Sequence, residues 1–403
     1  MGFHFSDRSQ ELQLRIIKFL DDHIYPAEEI YAQQMQEFTE QGDRWQIPQI
    51  IEDKKEIAKE EGLWNLFLPE NPMGESMSNL DYAPLAELMG RSGIASEIFN
   101  CSAPDTGNME VLARYANEEQ QERWLKPLLD GEIRSAFAMT EPAVASSDAT
   151  NICTTAVLEG DEYVINGQKI WTSRAEHSDL MLLLARTSPR REGMKKTHGL
   201  SVILVDMRKA VGNGLTIRPI RTMMNHATTE VFFDNLRVPA ENLIGEEGKG
   251  FKYILTGMNA ERILIAAECV GDAKWFTQKS VTYAKDRRVF DRAIGQNQGV
   301  QFPIAKAYTN MRAAELMVKE ALRLYEAGEN PGAEANMAKM LAADASFEAA
   351  NACVQTHGGF GFAEEYDIER KFRETRLYQV APISTNLILS YLSEHVLGLP
   401  RSY

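Results

Sequence analysis

Two short segments concentrate the side chains that could hold a ligand. The first runs Ala136-Phe137-Ala138-Met139-Thr140-Glu141-Pro142-Ala143-Val144-Ala145-Ser146-Ser147-Asp148. Small residues and hydroxyls on such a loop let a backbone approach a planar or anionic ligand and donate hydrogen bonds to it. An inter-domain turn is the other reading, and composition alone favours it. The second segment is Tyr163-Val164-Ile165-Asn166-Gly167-Gln168-Lys169-Ile170-Trp171-Thr172-Ser173. Asn166-Gly167 predicts a hairpin turn, so the segment ends in an aromatic and two hydroxyls. A tryptophan at a strand end usually belongs to the core, yet Trp beside Ser can also cover one face of a flat cofactor and hydrogen-bond its edge. Further along, Arg287-Arg288 suits bidentate phosphate contact or a solvated helix face. Gly358-Gly359 admits a close backbone approach or caps a helix.

The elements that must carry these residues follow from hydrophobic period. From Ser6 to about Gly131 apolar residues recur at three- and four-residue spacing, as in Leu12, Ile16, Phe19 and Leu20, with further stripes at Ile50–Glu61 and Val111–Leu129. Pro and Gly clusters such as Glu70-Asn71-Pro72-Met73-Gly74 mark turns between them. At about Arg134 the period changes. Thr154–Leu158, Tyr163–Ile165, Leu180–Leu184, Leu200–Val205 and Val231–Phe233 are short runs separated by turn residues, which predicts an antiparallel sheet domain. After Gly248-Lys249-Gly250 the helical period returns, broken near Gly328–Gly332 and His357–Gly361. The order predicts helical, β and helical domains over 1–133, 134–245 and 246–403. It excludes a doubly wound parallel sheet and the nicotinamide-type dinucleotide site that goes with one.

Composition narrows the partners. The 403 residues carry 44% hydrophobic and 25% charged residues, which is globular composition. The net charge of -15 is uneven: residues 1–140 carry -14, 141–250 carry -1 and 251–403 carry 0. Without a basic stripe the chain is a poor ligand for phosphate backbones, so nucleic acid is not an expected partner. Cys101, Cys153, Cys269 and Cys353 stand far apart, with no C-x-x-C and no metal-ligand spacing. They are expected to be reduced, mostly buried thiols of a cytoplasmic protein that holds no metal. No apolar run approaches the roughly 18 residues of a membrane span, and the first residues lack the basic head and apolar run of a secretory signal. Met1-Gly2-Phe3-His4-Phe5-Ser6 fits a myristoylation pattern short enough to arise by chance.

Taken together, the T-E-P loop at Thr140-Glu141-Pro142, the I-N-G-x-K-x-W segment, Arg287-Arg288-Val289-Phe290 with Gln298 beyond, and Gln355-Thr356-His357-Gly358-Gly359-Phe360-Gly361-Phe362 resemble the acyl-CoA dehydrogenase family in order and spacing. The resemblance covers essentially the whole chain. It implies a mainly α protein with an N-terminal helical domain, a β-barrel-like middle domain and a C-terminal four-helix bundle. It also implies FAD as cofactor, an acyl-CoA substrate, electron-transfer flavoprotein as electron acceptor, and a homodimer or homotetramer. By the resemblance, Phe137, Met139 and Thr140 line the isoalloxazine, Trp171 packs on the ring and Ser173 sits near its reactive nitrogen. Ser146 falls on the CoA side of the cleft. Arg287, Phe290, Gln298, Gln355 and Gly359 match positions that hold the pyrophosphate and adenosine half of FAD, partly from a neighbouring subunit. Ser384 and Asn386 also occupy FAD-contact positions.

The chain departs from the family pattern at the reaction centre. Many members place the catalytic Glu in a Tyr-Glu-Gly-Thr run near the C-terminus, but here the matching stretch reads Ala381-Pro382-Ile383-Ser384, and Pro382 can be neither a base nor an N–H donor. The backbone donor to the thioester oxygen then falls to a neighbouring amide such as Ile383. A branch that includes isovaleryl-CoA and long-chain enzymes places the Glu early in the helix after the β domain. Glu261 stands there in Met258-Asn259-Ala260-Glu261-Arg262-Ile263, followed by the Arg262 that the family also carries on the substrate side. The T-E-P loop departs too, with Ala143 and Ala145 for the usual glycines and an extra Ser147. The basic run Arg186–Lys196 reads as a solvated loop or a contact for CoA phosphates. The expectation is an FAD-dependent α,β-dehydrogenation with Glu261 as base. An oxidase of the same fold and a catalytically silent acyl-CoA or flavin scaffold are the rivals.

Overall fold

A computed structural model describes residues 5–43, 45–68, 77–189, 192–224 and 227–401, with Ser146 and Ser147 described in backbone only. The myristoylation pattern at Met1–His4, the turn at 70–74 and the Arg190-Arg191 pair of the basic loop lie outside the described residues.

Along the chain come helices α1 (Asp7–Phe19), α2 (Tyr25–Glu40), α3 (Gln49–Glu60), α4 (Asn79–Met89) and α5 (Asp105–Tyr115). Strands β1 (Ser135–Ala138), β2 (Thr155–Glu159), β3 (Glu162–Ser173), β4 (Leu180–Arg186), β5 (Leu200–Asp206), β6 (Leu215–Ile220) and β7 (Thr228–Pro239) follow. Then come α6 (Gly250–Thr256) and α7 (Met258–Asp286), a small hairpin β8 (Arg288–Val289) and β9 (Arg292–Ala293), α8 (Gln298–Glu326), α9 (Gly332–His357), α10 (Ile368–Thr375) and α11 (Thr385–Tyr391). The chain divides into two compact units. One comprises residues 29–76 and 97–258, the other 1–28, 77–96 and 259–403.

In the unit that holds the sheet, the strand order is β1-β4-β2-β3-β7-β6, with β5 added on β4. The sheet is not wholly antiparallel as expected: β1 runs parallel to β4, and β2 meets β4 in parallel at Thr155 and Arg186. The β2–β3 hairpin is inserted between β1 and β4, so neighbours in space are not neighbours in sequence. Strands β4 and β5 are buried almost throughout, which is why both read as unbroken apolar runs. Asn166-Gly167 is not a hairpin turn. The turn is at Gly160-Asp161, where Gly160 has φ +67°. Gly167 instead makes a bulge inside β3, where φ is +148° and an added Cβ would meet Thr154 Oγ1 at 2.5 Å. The bulge lets one strand continue to Ser173.

The other unit is helical. Helix α1 is capped by Ser6, whose hydroxyl accepts from the Ser9 amide at 3.1 Å, and it buries Leu12, Ile16 and Phe19. It packs along α4, and α9 packs along both α8 and α10. The backbones of α4 and α7 approach so closely that a Cβ added at Gly271 would lie inside the Glu87 carbonyl, and one at Gly90 would strike the Glu268 carbonyl. Both obstacles are backbone and cannot rotate away. Gly271→Ala is therefore expected to lower stability by about 3 kcal/mol, the upper range of overpacking. The check is the urea midpoint, with Gly299→Ala as control because nothing lies within 4 Å of that position. Behind the crossing, Asp272 pairs with Lys371 and accepts from Ser346 Oγ at 2.6 Å, which satisfies a charge buried between helices. Among the described residues no disulfide forms; Cys101, Cys269 and Cys353 are buried, whereas Cys153 is exposed.

Candidate active site

The ring-side candidates gather at one end of the sheet, and a buried ion pair holds them there. Glu141 accepts from the backbone amides of Cys153 (2.7 Å) and Thr154 (2.8 Å) and from Lys169 Nζ (2.9 Å). Lys169 is 0% exposed and also donates to the Met139 carbonyl at 2.9 Å. One residue further on, the Ile170 amide donates to the Thr140 carbonyl at 2.9 Å. Burial pushes the Lys169 ammonium down to about 8, with Glu141 opposing the shift. Burial acts to raise the Glu141 carboxyl, but the Lys169 charge and the hydrogen bonds from Thr154 and Cys153 outweigh it and hold it below the usual range. The glutamate of the T-E-P loop and the lysine of I-N-G-x-K-x-W thus join the two motifs. Neither had been given a role from sequence; the signal was that each lies inside a ligand-bearing segment without being a ligand type.

With the loop pinned to β3, Phe137, Met139 and Thr140 are half-buried and Trp171 is 57% exposed. Trp171 is therefore not a core residue. It sits at a second bulge between Ile170 and Thr172 with φ +59°, a conformation that non-glycine residues hold only where the surroundings impose it. Ser173 ends β3 opposite Thr228. The next residue, Arg174, also has positive φ, pairs with Glu97 at 2.9 Å and donates to Ser102 Oγ at 3.0 Å. Glu97 additionally pairs with Arg134, and with Lys55 at 3.5 Å. Burial would raise its carboxyl, but the charges of Arg174, Arg134 and Lys55 hold it far below the usual range. Asp105 and Asn108 of α5 bind Ser135 and so anchor the start of β1. Ser146 opens a short turn of helix, Ser146–Asn151, and its side chain lies outside the described residues.

The remaining candidates lie in the helical unit. Glu261 is half-buried in the first turn of α7. Arg262 donates to Asn259 Oδ1 at 2.9 Å, while its Nε is buried without a hydrogen bond. Burial pulls the Arg262 guanidinium below its ordinary value, although Glu261 counters this. The segment around Pro382 is gripped by Lys339, a fully buried residue of α9 whose ammonium donates to the Tyr378 carbonyl and, at 2.6 Å, to the Ile383 carbonyl. Sequence reasoning missed Lys339 because a lysine in an alanine-rich helix reads as solvated. Ser384 caps α11 by accepting from the Leu387 amide at 3.3 Å, so part of its hydroxyl's capacity is spent on the helix. Asn386 is exposed.

Arg287, Phe290, Gln298, Gln355 and Gly359 are all exposed. The Arg287 guanidinium lies 5.6 Å from the Phe360 ring centroid, just past Gly358-Gly359, where Gly358 ends α9 with φ +59°. Beneath, Tyr283 stacks on His357 with centroids 4.0 Å apart, and His357 Nδ1–H donates to the Cys353 carbonyl at 2.8 Å. Phe290, at the tip of the β8–β9 hairpin with φ +52°, is 92% exposed. A guanidinium beside a glycine pair has the chemistry of a phosphate contact, and Phe290 beside it in sequence is an unpacked aromatic at a hairpin tip. Among the described residues no group of three or more His, Cys, Asp or Glu could hold a metal ion, and no helix is long and apolar enough to cross a membrane.

Comparison with known proteins gives three family matches in register: the acyl-CoA dehydrogenase N-terminal domain over 6–132, the middle domain over 136–236 and the C-terminal domain over 248–389. The curated protein "Probable acyl-CoA dehydrogenase FadE2" of Mycobacterium tuberculosis is 36% identical over 92% of this chain and 91% of its own length. "Acyl-CoA dehydrogenase family member 11" of Gallus gallus is 35% identical over 94% of this chain but 49% of its own, so the chain spans about half the length of several curated relatives it matches. Among solved structures, a chain from Mycobacterium abscessus superposes with a TM-score of 0.92 at 33% identity, covering 98% of this chain and 99% of that one.

Proposed function

Since the chain belongs to the acyl-CoA dehydrogenase family, we propose that it removes the α-proton and β-hydride of an acyl-CoA thioester and releases a trans-2-enoyl-CoA. The observation that carries this reading is the pairing of Glu261, half-buried in the first turn of α7, with proline at the other position where the family places its base. Glu261 takes the α-proton on its carboxylate. FAD, when bound, supplies the acceptor for the hydride that leaves the β-carbon as the double bond forms.

Each half of the protein's contribution is then positional. Trp171 covers the ring, with Phe137, Met139, Thr140 and Ser173 around it, while Ser384 and Asn386 offer polar contacts from α11. Arg287, Phe290, Gln298, Gln355 and Gly359 hold the pyrophosphate and adenosine half. Ser146 and Arg262 act on the substrate side. The amide of Ile383 donates to the thioester oxygen in place of the N–H that proline lacks, and Lys339 fixes it through the Ile383 carbonyl. The exposed aromatics Phe290, Phe302 and Phe362 support assembly into a homodimer or homotetramer. Electrons pass on to an electron-transfer flavoprotein.

The test is anaerobic mixing of purified holoprotein with a panel of acyl-CoAs while flavin bleaching is followed. Bleaching with appearance of an enoyl-CoA supports the reading, and no bleaching by any member sinks it. Stoichiometric peroxide in air would make the protein an oxidase instead. Arg287→Ala is expected to weaken FAD binding roughly 10-fold, the scale of one charge-assisted phosphate contact. Titration of apoprotein with FAD measures it.

A further inference from the structure

The face of α7 that carries Glu261 also carries a second carboxyl. Glu261, Leu264, Ile265 and Glu268 are all half-buried and recur at the i, i+3, i+4, i+7 spacing of one helix face, while Ile263, Ala266, Ala267 and Val270 are buried on the other. The half-buried face therefore reads carboxyl, two apolar side chains, carboxyl, with the two acids about 10 Å apart along the axis. Beyond Glu268 the face is shut: Gly271 and Asp272 are buried, and the α4 backbone crosses with the Glu87 carbonyl against Gly271 and Gly90 against Glu268. No lysine, arginine or histidine forms an ion pair with Glu268 among the described residues, and the charge it senses is that of Glu261. Desolvation first and that charge second push its carboxyl up to about 8, so near neutral pH it is an acid that can both donate and accept a hydrogen bond. A plain alkyl tail lying along this face would leave that group without a partner at the closed end, which is unfavourable.

We propose that Glu268 is a specificity-determining residue that selects acyl-CoAs carrying a neutral polar group, a hydroxyl, at the distal end of a medium-length tail. The proposal rests on Glu261 marking the reacting carbon, since that fixes which end of the face meets the tail. Leu264 and Ile265 contact the methylenes between, and Glu268 hydrogen-bonds the terminal hydroxyl.

The test compares decanoyl-CoA with ω-hydroxydecanoyl-CoA on holoprotein of wild type, Glu268→Leu, Glu268→Gln and Glu261→Gln. Dissociation constants are read by calorimetry and rates by flavin bleaching. Wild type is expected to bind the hydroxylated thioester at least 10-fold more tightly. Glu268→Leu should reverse the preference, and Glu268→Gln should keep part of it. An equal preference in wild type and Glu268→Leu overturns the proposal, as does wild-type preference for the plain chain. Because binding is read separately from turnover, full activity of Glu261→Gln would remove the base assignment and leave the tail preference to be judged on the dissociation constants.

Discussion

Glu261→Gln holoprotein is expected to bleach about 10²- to 10⁴-fold more slowly than wild type with any acyl-CoA that wild type oxidises, the range a positioned general base contributes. The substitution keeps the shape and removes the proton-accepting carboxylate together with the charge that Arg262 and Glu268 sense. Glu261 sits in the first turn of a 29-residue helix whose opposite face is buried, so its loss disturbs no core packing. The protein should stay yellow, with acyl-CoA affinity changed little, and the fall should appear in the bleaching rate rather than in the dissociation constant. Stopped-flow absorbance under anaerobic conditions separates the two. Wild-type-like bleaching would remove Glu261 from its role.

What could be read from sequence was the identity of ligand-bearing types; what could not was how they are held. Trp171, Arg287 and Gly359 are singled out in the sequence by the motifs that resemble the family, and their roles there are proposals. The anchors are not, because Lys169, Lys339 and Glu141 look like surface charge until burial is known. Helical stretches were legible for the same reason that the sheet was harder. A period of 3.6 survives over long elements such as α8, while β1 is four residues of low strand propensity and gains its partner β4 only after the β2–β3 hairpin is inserted. Asn166-Gly167 shows the limit of local rules. The same two residues that close a hairpin elsewhere form a bulge here, because Thr154 packs against Gly167 and β3 continues along β7 beyond it.

The charge distribution acquires a structural sense from the same residues. The near neutrality of 141–250 and 251–403 coexists with buried pairs, so little net field would oppose the phosphate contact proposed for Arg287. Within that balance, Lys169→Met is expected to be among the most damaging single changes in the sheet unit. It leaves Glu141 buried without its cation, a loss of about 3–5 kcal/mol for a broken buried pair. It also frees the Met139 carbonyl and so loosens the hold of β3 on the loop that carries Met139, Thr140 and Glu141. FAD affinity should therefore fall together with the urea midpoint. The double change Lys169→Met with Glu141→Gln should recover much of the stability, because no charge then remains buried.

The pH dependence gives the sign. In wild type the folded-state Glu141 carboxyl lies below its ordinary value of 4.5, so the pair's stabilisation is present above that value and is lost as pH falls through the lower, folded one. In Lys169→Met, burial without the cation raises the same carboxyl above its unfolded value, so the penalty is full at neutral pH and relaxes as the group protonates. The gap between the two proteins should be widest near pH 7 and narrow toward pH 4. Urea midpoints at the two pH values decide it, and a gap that stays constant or widens on acidification would mean that the Lys169 ammonium is not what holds the Glu141 charge.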